Sequence, residues 1–384
     1  MQPDFARMQR ILGALVAADS QNPPGREAEV AAVVTRKLTE AGCTTELDAY
    51  APGRANVIGR FENGAGPVFA FNTHMDVVPC GEGWSSDPLQ LRPSAGRLYG
   101  RGACDCKGPL AAMLEAMRLM IAGRETWSGT LLGVFVADEE TASAGAKRIA
   151  ASGMRIDYAV IGEPTGNRIA IAHKGSLRPL VRVRGVATHS SAPDDGDNAI
   201  YRAARLIALV ERLHADTIRH RTHPLTGAAS LTITRANAGV ADNVVPDAMD
   251  LLLDRRMVPG EDEGLVKAEI EQLLRDAEAR HGVRSEILEW RATTGGAAET
   301  RADAPIVAAA LAASRAAGVT ECGPIGFPGA CDFVHFRTLG AEAVIVGPGS
   351  LSVAHKPDEF VPTDEFFASC TIYTDIARRM LARG

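Results

Sequence analysis

Four short apolar runs constrain the fold of this chain: VFAFN at 68–72, LLGVFVA at 131–137, AVIG at 159–162 and AVIVG at 343–347. None alternates polar with apolar residues, so each reads as a strand buried on both faces. Patterns of helical period lie between several of them. Residues 26–41 put Val30, Val33, Val34 and Leu38 on one face and stop at Gly42, and KGPLAAMLEAMRLMIA follows at 107–122. Buried strands interleaved with helices predict an α/β fold, a mixed sheet covered by helices.

The middle of the chain has a different order. Strand patterns at 177–184, 230–235, 249–253 and 284–290 and helical patterns at 198–214 and 262–280 give β-α-β-β-α-β, the order of a ferredoxin-like α+β unit. After it the α/β style resumes, with helices expected over 304–316 and 363–381. The expected organisation is one α/β domain, 1–176 and 293–384, with a smaller domain inserted at 177–292.

With 384 residues, two domains are the ordinary expectation. The net charge of −6 offers nothing to a polyanion, which argues against a nucleic-acid partner. No apolar run approaches the length of a membrane span, and charged residues at helical spacing in the first twenty positions do not resemble a signal peptide. Seven cysteines, at 43, 80, 104, 106, 322, 331 and 370, are odd in number and scattered, which fits a reducing cytoplasm better than a disulfide scaffold.

Polar residues capable of chemistry follow the apolar runs. In FNTHMDVVP an extended chain would put His74 and Asp76 on one face, so the imidazole could bind a metal while Asp76 accepts its second N–H. A polar pair at a strand end reads the same way. Asp105, in LYGRGACDCKGPL, precedes a helix and could equally be its N-cap. Asp138, Glu139 and Glu140 directly follow LLGVFVA; buried there they need cations or protons to coexist, whereas on an exposed turn they would be solvated. Glu163 closes AVIG, and His355 lies on the loop beyond AVIVG. Ligands of open α/β sheets gather at the carboxyl ends of strands, and these five segments each lie just after a candidate strand or on the loop beyond one.

Together THMDVVP, GRGACDCKG, VADEETASAGA, IGEPT, GVATHSSAP and AHKPDEFV resemble the M20 metallopeptidase family of dinuclear hydrolases, which includes acetylornithine deacetylase, succinyl-diaminopimelate desuccinylase and carboxypeptidase G2. The match covers nearly the whole chain in the family's motif order. The resemblance implies two divalent ions per subunit, zinc foremost with cobalt or manganese as alternatives. His74, Asp105 and Glu163 would hold one ion and Asp105, Glu140 and His355 the other, with Asp105 bridging. Glu139 resembles the catalytic carboxylate and Asp76 the acid behind His74. His189 resembles a histidine of the lid and dimerisation domain that reaches the partner subunit, and Arg256 and Asn243 resemble substrate-contacting lid residues. Arg256 paired with Asp254 or Asp262 at the surface is the structural alternative.

The resemblance implies hydrolysis of the amide bond of a small N-acyl amino acid by water activated between two ions. In the family that the chain resembles, glutamate at the position of Glu163 is commoner among deacylases, and aspartate among dipeptidases and carboxypeptidases, so the resemblance implies a deacylase, with a dipeptidase or carboxypeptidase of the same family as the alternative. A catalytically silent binding homologue is the remaining reading, and the intact acidic set speaks against it. The expected partners are the small substrate and a second copy of the chain, with no nucleic acid and no membrane. Cys104 and Cys106 flank Asp105; in an extended segment both sulfurs would point away from its metal-facing side and serve packing.

Overall fold

The computed structural model describes residues 2–321 and 323–383. The chain divides into two compact units, one of Met1–Ala172, Glu299–Phe327 and Cys331–Gly384, the other of His173–Ala298 and Pro328–Ala330.

The first unit is built on a nine-stranded mixed sheet. Its strands run in the order Thr44–Ala51, Arg54–Asn63, Gly129–Val136, Val68–His74, Tyr158–Ile161, Glu342–Ile345, Ala170–His173 and Ala298–Glu299, with Ile325–Phe327 paired to Ala170–His173. The four apolar runs of the sequence are the four adjacent parallel strands at its centre. The helix Ala28–Ala41 buries Val30, Val34 and Leu38 and ends at Gly42, whose φ of 99° is the left-handed conformation a glycine C-cap supplies without a Cβ penalty. Val33 is only half buried.

The helix Lys107–Ala122 buries every residue except Arg118 and Ala122, including the carboxylate of Glu115. A charge there needs partners. Arg7 Nε and Nη2 each donate to Glu115 at 2.8 Å, and Arg118 donates from Nε and Nη2 at 3.0 and 2.9 Å. Burial alone would raise the Glu115 pKa, but these guanidinium bonds lower it from an ordinary 4.5 to about 2. A depressed folded pKa contributes stability that is present above the unfolded value and lost as pH falls through the folded one. Glu115→Gln is therefore expected to cost about 2–3 kcal/mol in urea unfolding near pH 7 and about half that at pH 3. An equal cost at both pH values would contradict the pairing.

The second unit has a four-stranded antiparallel sheet in the order Ser230–Ala238, Ala248–Met257, Gly175–Arg184, Ser285–Arg291. With the helices Ala199–Asp216 and Glu263–His281 between its strands, it has the ferredoxin-like order expected from the sequence. Asn198 and Asp262 cap the two helices through their side chains. Val181, Val183, Leu206, Val210, Leu251, Leu253 and Leu274 share its core. The alternating residues of Gly175–Arg184 turn outward, where Arg182 pairs with Asp250 at 2.7 Å and Arg184 pairs with Glu286. Ser230–Ala238 is an edge strand exposed along its second half.

Candidate metal centre

The parallel strands bring the chemistry-bearing residues together. His74 stands opposite Val136, and Asn72 and Ile345 stand opposite Ile161, so the carboxyl ends of all four strands are nearly level. Directly beyond them come Asp76, Asp138 to Glu140, Glu163 and the loop that carries His355.

Among the described residues, donor atoms of His74, Asp105, Cys106 and Glu163 lie within 4.8 Å of one another, and those of Asp105, Glu140 and His355 do the same. Asp105 belongs to both groups. Its Oδ1 is 3.2 Å from His74 Nε2, and its Oδ2 is 3.4 Å from His355 Nε2. Glu140 Oε2 is 3.0 Å from the same His355 nitrogen. His74 Nδ1 donates to the carbonyl of Asp76 at 2.9 Å, which leaves Nε2 as the nitrogen facing Asp105. Two acceptors 3.2 Å apart are held there by a proton or by a cation.

The three adjacent acids do not share one environment. Asp138 takes a left-handed φ of 72°, which turns the chain at the strand end, and its carboxylate is engaged by Arg54, by Thr141 and by Asn22 Nδ2 at 3.0 Å. Glu139 and Glu140 follow with their backbone N–H groups donating to Asp76 Oδ1 and Oδ2, each at 3.1 Å. Asn22 Nδ2 also donates to Asp76, at 2.8 Å. The Asp76 carboxylate is 3.6 Å from His74 Nδ1, farther than its own carbonyl. Its hydrogen bonds hold the backbone of Glu139 and Glu140, in addition to its approach to the His74 imidazole.

A second buried support was not legible in the sequence. Glu359 Oε1 accepts from the backbone N–H groups of Cys104 and Asp105, both at 3.0 Å, and Glu359 Oε2 pairs with Arg101 Nη1 at 2.6 Å. Both side chains are almost wholly buried. The only sequence signal was that each stands inside a motif carrying a ligand, GRGACDCKG and AHKPDEFV.

The electrostatics follow from packing acids in a buried place. Burial pushes the Glu140 carboxyl up to about 6 despite the hydrogen bond with His355. Burial, then the charge of Asp105, raises Glu163 well above the carboxylate range, and burial with neighbouring acids does the same for Glu139. Burial would also raise Asp105, but the hydrogen bonds from His355 and His74 hold it well below that range. Hydrogen bonding to Asp105 and Glu140 lifts His355 to about 10. The Glu140 side chain is 6% exposed, yet its Oε1 has no hydrogen-bond partner. An orphaned buried carboxylate oxygen beside imidazole and carboxylate donors fits divalent cations, which would supply both the missing partner and the missing charge.

The segment 101–106 is a run of turns, not an extended chain, and this separates the two flanking cysteines. Cys104 Sγ packs toward the Ser350 carbonyl at 3.6 Å and against Gly349, where a Cβ would approach the sulfur to 2.4 Å. Cys106 departs from the expectation: its sulfur points into the donor cluster, 2.9 Å from Asp105 Oδ1.

The remaining residues singled out in the sequence lie in the second unit. His189 and Val244 are paired residues of a two-stranded ladder, and the Asn243 carbonyl accepts from Ser190 N at 2.9 Å, so His189 and Asn243 are neighbours. His189 is exposed, and its Nδ1 accepts from Ser191 N at 3.1 Å, which leaves the proton of the neutral imidazole on Nε2. Arg256 Nε donates to Asp254 Oδ1 at 2.7 Å, and Arg178 Nε to Asp254 Oδ2 at 2.9 Å. The pairing of Arg256 with Asp254 was the structural alternative to a substrate clamp.

Comparison with known proteins adds four observations. The model of peptidase family M20/M25/M40 matches residues 70–379. The chain is 34% identical to an acetylornithine deacetylase of Myxococcus xanthus over 86% of each sequence. It is 33% identical to a succinyl-diaminopimelate desuccinylase of Thioalkalivibrio sulfidiphilus, over 82% of this chain and 84% of the relative. In fold it is similar to the M20 family metallo-carboxypeptidase Sso-CP2 of Sulfolobus solfataricus, with a TM-score of 0.82 at 19% identity over 97% of this chain and 99% of the other.

Proposed function

The chain belongs to peptidase family M20/M25/M40, and from that premise we propose that it is a two-metal amidohydrolase that removes the acyl group from a small N-acyl amino acid, as its relatives' names describe for acetylornithine and succinyl-diaminopimelate. The observation that carries this reading is the pair of donor groups sharing Asp105. His74, Asp105 and Glu163 would hold one ion and Asp105, Glu140 and His355 the other; imidazole with carboxylate suits zinc first, and cobalt or manganese can take its place. Bound there, the ions supply Lewis acidity toward the amide carbonyl and lower the pKa of water.

The chain's own groups do the rest. Glu139 accepts the proton of the attacking water at its carboxylate and returns it to the leaving nitrogen. Asp76 holds the backbone of Glu139 and Glu140 while this happens. His189 donates from Nε2–H to the developing oxyanion, and Asn243 binds the substrate's carboxylate end, joined by Arg256 once it exchanges its partner Asp254 for the substrate.

His189 is contributed across a homodimer formed through the second unit. Support comes from Val186, Ile200 and Tyr201, large apolar side chains 47%, 40% and 72% exposed there, and from the open edge of Ser230–Ala238. A cytoplasmic site of action belongs to the same proposal, supported by the six described cysteines, which are free thiols.

The test is a panel of acetyl-ornithine, succinyl-diaminopimelate, other N-acyl amino acids and dipeptides, run on chelator-stripped protein restored with Zn²⁺, Co²⁺ or Mn²⁺. Stripping is expected to abolish turnover and restoration to return it, with an acyl amino acid as the best substrate. A dipeptide as best substrate would move the assignment to the peptidase side of the family. Metal-independent turnover would overturn it, and a fully active monomer by light scattering would remove the role given to His189.

A further inference from the structure

The cluster around His74 contains one donor that the two-metal reading does not use. Cys106 is fully buried, so no water competes for its sulfur. Its Sγ lies 2.9 Å from Asp105 Oδ1 and 3.5 Å from Glu163 Oε2. His74 Nε2 approaches the same Asp105 oxygen at 3.2 Å, and all four side chains offer a donor atom within 4.8 Å of the others. The backbone is held on both sides of this cysteine. Cys106 O accepts from Leu110 N at 3.1 Å in the first turn of the following helix, and Asp105 N is fixed by Glu359 at 3.0 Å. The sulfur is therefore presented to the ligands by a tethered segment, while Cys104 faces Ser350 and Gly349.

We infer that Cys106 is a metal ligand, its sulfur joining His74, Asp105 and Glu163 around one ion. This rests on the two-metal reading and adds to it that the positions are chemically unequal. One has nitrogen, oxygen and sulfur donors; the other, built from Asp105, Glu140 and His355, has nitrogen and oxygen only. A thiolate selects softer ions, so the first position favours zinc, cobalt or cadmium and discriminates against manganese, which the second accepts more readily. The competing role for the thiol is a hydrogen bond to Asp105 that steadies the carboxylate. Cys106→Ser separates the two, since the hydroxyl keeps the donor and removes the sulfur.

The experiment loads the full chain with Co²⁺, counts bound metal and records the electronic spectrum, with X-ray absorption on the zinc-loaded wild type as a measurement that needs no variant. The expected result is two ions per chain, an intense near-ultraviolet sulfur-to-cobalt band that is lost in Cys106→Ser, and a sulfur neighbour of zinc at roughly 2.3 Å. A wild-type chain that takes up two ions and gives neither signal overturns the ligand assignment while the two-metal reading stands. A chain that takes up none overturns both.

Discussion

Exchange of Glu139 for glutamine is expected to lower kcat by about 10²- to 10⁴-fold while leaving the bound metal in place. The reasoning starts from the backbone. Glu139 N–H is held by Asp76 Oδ1 at 3.1 Å, and the left-handed turn at Asp138 sets the direction in which the next two side chains leave the strand. Glu140 belongs to one of the two donor groups, whereas Glu139 belongs to neither. Glutamine keeps the size and the backbone anchor of Glu139 but cannot take a proton from water. Burial and the nearby acids push the Glu139 carboxyl well above the ordinary range, a perturbation of the kind found at functional sites. Substrate affinity should change little, because the residue acts on the proton and not on the bound ground state. A glutamine variant with full metal content and wild-type kcat would remove Glu139 from the mechanism.

How much of this was legible in the sequence depends on the range over which each feature is determined. The four buried strands were legible because an unbroken apolar run is a local pattern, and a parallel sheet then brings the four ends to one place. The ferredoxin-like unit was legible for the same reason, its helices and strands differing in period. What could not be read was side-chain direction within irregular backbone. Cys106 was expected to point away from the ligands on the assumption of an extended segment, and the turns at 101–106 reverse it. Asp76 was expected behind the imidazole of His74, and its carboxylate lies 3.6 Å from His74 Nδ1; that the same carboxylate also accepts from the turn after a different strand, more than sixty residues away, was not legible. The engagement of Asp138 by Arg54 and Asn22 is likewise a product of tertiary packing. It explains how three consecutive acids coexist: one is neutralised by a guanidinium, which leaves two for the site.

Among the residues hidden from sequence reading, Glu359 is expected to have the largest effect when replaced. Glu359→Leu removes the acceptor of two buried N–H groups, those of Cys104 and Asp105, and leaves Arg101 as an unpaired buried cation. Breaking a buried pair in this way costs about 3–5 kcal/mol of stability. Because Asp105 belongs to both donor groups, losing its support is expected to weaken metal binding by about 10- to 100-fold, the usual effect of removing an outer partner of a ligand. Glu359→Gln divides these contributions. Its carbonyl oxygen can still accept from the two N–H groups, but its amide nitrogen would face the Arg101 guanidinium, so stability falls while metal affinity stays near wild type. Arg101→Leu gives the complementary case, a retained carboxylate without its counter-ion. The guanidinium also donates to Cys80 O at 3.2 Å and lies 5.0 Å from the Trp84 ring centroid, so this variant loosens the loop around residue 80 as well. Titration of Zn²⁺ against a competing chelator, with urea unfolding of the same three proteins, separates the two effects. If Glu359→Leu bound Zn²⁺ as tightly as Glu359→Gln, Glu359 would be a stabilising residue with no part in positioning Asp105.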